Sequence, residues 1–268
     1  MIINHMQIRR MIAELRLECL PLLEHLKALG HFQWIPNPGN AGDGLITAGT
    51  RMLFEQSGLD YHQTSRFCVE PGIPIVYGGG GGWCKAFDIG AVIVSEVANK
   101  AGSVIVLPST FEAERLQQIA HLPHLYLYGR DHHSVKIATQ LNLECSYAPD
   151  LAFFCPLPVI PQCGGKGTLA AFRKDVIGTT HAPSVKTLQA DTWVDLSRKG
   201  DHNSRDRLLT KVCQYDCVHT DRLHVAIAAT ISGCDTYIYP NGDRYHKNLE
   251  LYRSTLSKFR NCQLVNPE

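Results

Sequence analysis

The chain has 268 residues, 44% of them hydrophobic, with 26 Lys and Arg against 25 Asp and Glu. This suits a buried core in one large or two modest domains, and it excludes the basic footprint of a nucleic-acid binder, so any anion site must be local. Ten cysteines show no C-x-x-C pair, and Cys213 and Cys217 have no histidine at finger distance; reduced thiols in a cytoplasmic protein with no metal and no cofactor are expected.

Residues 4–29 place Ile8, Met11, Ile12, Leu15, Cys19, Leu22, Leu26 and Leu29 at helical spacing, with a break or new first turn at Pro21. Charges at Arg9, Arg10, Glu14, Arg16 and Glu18 argue against a signal core, and no window is apolar enough to span a membrane. The stripe is expected to pack on the body of the protein. Homo-oligomerisation through this helix, or peripheral docking at the inner membrane surface, is the alternative use of it.

From there strands and helices alternate: strand 32–36, helix 44–56, strand 73–77, helix 87–100, strand 103–107, helix 112–120, strand 125–128, helix 132–141 and strand 143–147. Such alternation predicts a parallel sheet with crossover helices. The Pro- and Gly-rich stretch 156–167 reads as a linker between an N-terminal domain (1–155) and a smaller C-terminal one (168–268). Beyond it the pattern predicts a strand at 168–173, a helix at 204–212, a strand at 216–219, a helix at 222–232, a strand at 235–240 and a helix at 246–259. The fold class is α/β, with two Rossmann-like domains.

Three strand-to-helix junctions carry chemistry. After the first strand comes Asn37-Pro-Gly-Asn-Ala-Gly-Asp-Gly44, where glycines allow close backbone approach and Asp43 sits at an N-terminal turn. Its spacing is not the dinucleotide G-x-G-x-x-G. After Tyr77 stand five glycines, Gly78 to Gly82, read as a mobile lid or a backbone nest for an anion. Finally, Thr220-Asp-Arg-Leu-His224 sets an arginine and an imidazole at a helix mouth, a place suited to a small anion. Thr220 or Asp221 is expected to cap that helix and Gly233 to end it, with non-helical backbone at Arg222.

Taken in order, Gly39 to Ile46, the glycine run 78–82, Tyr128-Gly-Arg-Asp131, Ala148-Pro-Asp150, Phe172-Arg-Lys-Asp175, Thr192-Trp193, Thr220 to His224 and Lys247-Asn248 resemble the polysaccharide pyruvyl transferases. The resemblance spans most of the chain after residue 35. It departs at Val225, where a smaller residue is usual, and at His246, where glycine is common.

The resemblance implies a glycosyltransferase-B-like fold. It also implies transfer of the enolpyruvyl carbons of phosphoenolpyruvate onto two hydroxyls of a saccharide acceptor, free or lipid-linked, as a cyclic ketal in surface polysaccharide biosynthesis. On that reading Arg222 holds the donor, with Arg130 and Arg173 as further anion ligands, Lys247 on phosphate or acceptor, and His224 as the acid or the phosphate's hydrogen-bond partner. Asp43 orients or deprotonates an acceptor hydroxyl. Asn40, Gly42, Gly79, Gly80, Gly81 and Asp150 complete the substrate contacts. The residues alone leave other readings open for Asp43, Asp131 and Asp150 as backbone caps and for Arg173 as a salt-bridge partner. Two rival functions are a nucleotide-sugar glycosyltransferase of the same fold and a non-enzymatic glycan-binding member.

Overall fold

The computed structural model describes residues 2–85, 87–157, 165–174, 187–198, 202–241 and 246–265. In chain order the elements are α1 (Ile2–Glu18), α2 (Leu20–Ala28), β1 (Phe32–Ile35), α3 (Ala41–Gln56), β2 (Tyr61–Gln63), β3 (Ile75–Tyr77), β4 (Gly80–Trp83), α4 (Ile89–Ala98), β5 (Val104–Phe111), α5 (Ala113–Gln117), β6 (Leu125–Gly129), α6 (His132–Gln140) and β7 (Cys145–Tyr147). There follow β8 (Thr168–Ala171), β9 (Thr192–Trp193), α7 (Arg205–Val212), β10 (Cys217–Thr220), α8 (Leu223–Ser232), β11 (Asp235–Ile238), α9 (Lys247–Ser254) and β12 (Cys262–Leu264). Most of the expected linker, 158–164, and Asp175 lie outside the described residues.

Two compact units emerge. One comprises Leu15–Pro38 and Ile46–Phe154; the other comprises Met1–Glu14, Gly39–Leu45 and Cys155–Glu268. The expected division at 156–167 therefore differs in two places, because residues 1–14 and 39–45 cluster with the C-terminal half. For the glycine loop the reason is hydrogen bonding: the Ser197 hydroxyl donates to Asn40 Oδ1 and accepts from the Gly42 N–H. For the helix it is packing, since the His5 ring lies over Gly233.

The first unit holds a seven-stranded sheet in the order β2-β1-β3-β5-β6-β7, with β4 paired to β5. All of these pairings are parallel. Hydrophobic side chains from β1, β3, β5, β6 and α4 form its buried core. The second unit holds a five-stranded parallel sheet, β12-β11-β10-β8-β9. Each sheet runs outward from its first strand in one direction for a single strand and in the other for the rest. Such a reversal leaves a crevice at the carboxyl ends of the two strands flanking it. In the second unit those strands are β8 and β10. The architecture is α/β, Rossmann-like and glycosyltransferase-B-like.

The glycine run is not a lid. Gly80–Trp83 is strand β4, with Gly80 opposite Ser109 and Trp83 opposite Phe111. Close packing accounts for its composition: a Cβ on Gly78 would strike the backbone of Pro36 and Asn37, and one on Gly79 the carbonyl of Pro108. Gly80 has a φ of +118°, a region L side chains rarely adopt. The alternation that marks a strand needs side chains, which glycines do not have.

The N-terminal stripe packs inward as expected, with Ile8, Leu15, Cys19, Leu22 and Leu26 all buried. Those side chains are therefore consumed within the chain. Pro21 stands in the first turn of α2, where its missing N–H costs nothing.

Candidate functional site

At the carboxyl ends of β8 and β10 the chain presents Phe172-Arg173-Lys174 and Asp221-Arg222; two hydrogen bonds join these loops, and three more hold the second in place. The Thr220 hydroxyl donates to the Ala171 carbonyl (2.6 Å) and accepts the Arg222 N–H (2.9 Å). Asp221 Oδ1 accepts the Arg173 N–H at 2.8 Å. The Asp221 carbonyl receives side-chain amides from Asn241 and Asn248, at 2.9 and 2.8 Å. Arg222 is thereby held extended, φ −93° and ψ 111°, at the N-cap position of α8. This is the non-helical backbone the site requires. The N-cap position falls on Arg222 and not on the expected Thr220 or Asp221, and the Arg222 side chain makes no capping hydrogen bond; the Thr220 and Asp221 side chains bond to the β8 loop. The N-terminus of a ten-residue helix presents N–H groups and a positive partial charge. Gly233 ends α8 in the left-handed conformation, φ +90°.

Arg222 is 4% exposed, and its Nε and Nη2 donate to the two carboxylate oxygens of Asp195, each at 2.7 Å. The edge of the guanidinium that the sequence reading gives to the donor is taken by this pair. Burial works to raise the Asp195 pKa, but the hydrogen bonds and charge of Arg222, with N–H groups of Lys174 and Ser197, hold it below the usual carboxylate range.

The glycine loop joins the same unit. Asn40 Oδ1 accepts the Gly42 N–H (2.8 Å) and Asp43 Oδ2 the Asn40 N–H (2.9 Å), a reciprocal capping of α3. Asp43 is thus employed as a cap, the alternative its glycine flanks allowed. Glycine is required where α3 begins, since a Cβ on Gly42 would overlap the His224 ring and one on Gly44 the carbonyl of His202. His224, half-buried in the first turn of α8, packs against that loop. Arg173 and Lys247 are half-exposed, and Lys247 opens α9 beside the Asn248 that holds the Asp221 carbonyl.

The second unit therefore brings together Asn40, Gly42, Asp43, Arg173, Arg222 and His224. Arg130, Asp150, Gly79, Gly80 and Gly81 belong to the other unit. Arg130 and Asp150 are both 0% exposed and form an ion pair at 2.7 Å. Arg130 Nε also donates to Thr110, whose hydroxyl bonds to Asp131, the N-cap of α6. These residues hold β5, β6 and α6 together and are buried. Breaking such a pair leaves a buried charge uncompensated. Asp150→Ala is expected to destabilise folding by about 3–5 kcal/mol in denaturant titration, and unchanged stability would contradict the assignment.

Sequence reading missed Asp195, Ser197 and Asn241. The first two follow a two-residue strand, too short to show a period, and only a carboxylate just past Thr192-Trp193 marks the place.

His219, one residue before this loop, is no proton carrier for it. Its ring stacks on Tyr237 (centroids 4.5 Å), its Nδ1 meets the Tyr239 hydroxyl, and burial lowers its pKa to about 4. The unfolded chain, with an ordinary histidine near 6.5, binds the proton first. Stability is therefore expected to fall as pH drops from about 6.5 to 4, by up to ~1.4 kcal/mol per pH unit. His219→Phe should flatten that slope in pH-dependent melting, and an unaltered slope would refute the assignment.

Parallel sheets, with an arginine at the N-cap of α8 and an imidazole in its first turn beside a sheet reversal, define an α/β protein with polar and charged side chains at the carboxyl ends of β8 and β10. Residues 40–243 match polysaccharide pyruvyl transferase, and the chain belongs to that family, one of transferases named for a saccharide acceptor. No curated protein matches the chain. A functionally uncharacterised protein of Klebsiella pneumoniae subsp. pneumoniae has a similar crystal structure, with TM-score 0.75 and 25% identity over 92% of this chain and 98% of that one. Among the described residues no helix is long and apolar enough to cross a membrane, and no cluster of His, Cys, Asp or Glu is arranged to hold a metal ion.

Proposed function

We propose that this chain transfers the enolpyruvyl carbons of phosphoenolpyruvate to two hydroxyls of a saccharide, free or lipid-linked, yielding a pyruvate ketal and inorganic phosphate in surface polysaccharide biosynthesis, at the cytoplasmic side. The observation that supports the reading is Arg222 at the N-cap of α8 and His224 in its first turn, with the Arg173 N–H bonded to Asp221 alongside. One hydroxyl adds to C2 of the enol while C3 takes a proton, and the second hydroxyl then displaces phosphate at C2. Of the two hydroxyl protons, one balances the new methyl group and the other leaves with phosphate. The helix mouth and the cations offset the donor's carboxylate and phosphate, and His224 is the proton source for C3, imidazole being the side chain most readily tuned to neutral pH. Lys247 faces the leaving phosphate or the acceptor.

Phosphoenolpyruvate at about 100 times its dissociation constant should stabilise the fold by roughly 2.7 kcal/mol, a visible rise in melting temperature. Incubation with donor and saccharide should release phosphate and add one pyruvylidene group to the product mass. Stabilisation by a nucleoside diphosphate sugar and not by phosphoenolpyruvate, at matched ionic strength, would make the chain a glycosyltransferase instead. Stabilisation by neither would favour a glycan-binding role.

A further inference from the structure

We infer that Asp195 is a positioning residue for Arg222, and that Ser197 ties this pair to the loop opening α3, so that two helix N-termini form one rigid anion cradle. The inference rests on the donor reading above. The links close a circuit. Arg222 is gripped through two nitrogens by Asp195 at 2.7 Å. The Ser197 N–H donates back to Asp195 Oδ1 at 3.3 Å. Its hydroxyl donates to Asn40 Oδ1 at 2.7 Å and accepts the Gly42 N–H at 3.2 Å. Gly42 lies under the His224 ring, and His224 stands in the first turn of α8, two residues after the extended Arg222.

Asp195 could instead be a stand-in for the donor's carboxylate, to be displaced when substrate arrives. Its surroundings oppose that. The side chain is 2% exposed, and besides Arg222 it accepts backbone N–H groups from Lys174 and Ser197. Of its four donors two are backbone N–H groups of the second unit, so displacement would leave the buried Ser197 N–H without its partner and free that of Lys174 as well. A flexible arginine fixed in advance spares the donor the entropy of ordering it.

Asp195→Asn tests this by calorimetric titration with phosphoenolpyruvate and, separately, inorganic phosphate, alone and combined with Arg222→Lys. The Nε–Hε resonance of Arg222 in ¹⁵N-labelled protein serves as a signature needing no ligand. Asp195→Asn should weaken phosphoenolpyruvate about ten- to hundredfold, the size of loss seen when the residues that orient metal ligands are removed, and collapse the shift of the Hε signal. Added to Arg222→Lys it should cost little more, since both act through one group. Ser197→Ala should act in the same direction and less. Unchanged or tighter binding in Asp195→Asn, or losses that simply add, would overturn the inference. Should the parent bind neither anion, the donor reading fails. The clamp is then judged on the resonance, which overturns it if Asp195→Asn leaves it unshifted and supports it if the shift collapses.

Discussion

Arg222→Ala is expected to abolish measurable binding of phosphoenolpyruvate. Truncating one partner of a buried charge-assisted pair costs about 2–5 kcal/mol in affinity. Here the same change also leaves Asp195, 2% exposed, without the cation that holds its charge, so a lower melting temperature should accompany the loss. Arg222→Lys separates the two effects. An ammonium still offsets Asp195 and should recover much of the stability. It cannot meet both carboxylate oxygens while holding a fixed plane toward a ligand, so it should recover little donor affinity. Calorimetry on both variants decides the matter. An alanine variant that binds the donor as the parent does would place the site elsewhere.

His224→Gln should leave melting nearly unchanged and reduce turnover by roughly 10²–10⁴, the range for a lost general acid. Glutamine approximates the size of imidazole and keeps a hydrogen-bonding tip over Gly42, so the α3 loop need not move. Donor affinity should fall much less than turnover. Equal losses in both would make His224 a binding residue, and no loss in either would leave it a packing residue against the glycine loop. A larger side chain at Gly42 offers an independent check. Gly42→Ala intrudes on the His224 ring and should depress turnover with Arg222 untouched.

The helix mouth was legible in sequence because its signals are local: Gly233 needs a left-handed backbone, and an apolar run between Arg222 and that glycine has the length of a helix. Strand and helix alternation likewise survived, since it depends on side-chain periodicity that tertiary contacts reinforce. What failed to show was long-range pairing. Arg130 and Asp150 each follow a strand and look like crevice residues, yet they face one another across 20 positions and neutralise each other. Asp195 meets Arg222 from 27 positions away. The glycines of β4 were misread for a different cause, because conformational freedom and the absence of a side chain are the same feature in sequence. Only packing tells which one a protein uses.

Two sheets with one strand reversal each mean that the fold offers the same kind of ligand position twice. In the first unit that position lies at the ends of β1 and β3, where Gly78 runs against Pro36 and Asn37 and Gly79 against Pro108. Main chain there packs on main chain too closely for a Cβ at either glycine. The two reversals thus differ in kind, one built from tightly packed glycine backbone and the other lined by polar and charged side chains. An effort to graft a second anion site into this protein would thus have to begin by undoing glycine packing rather than by adding cations.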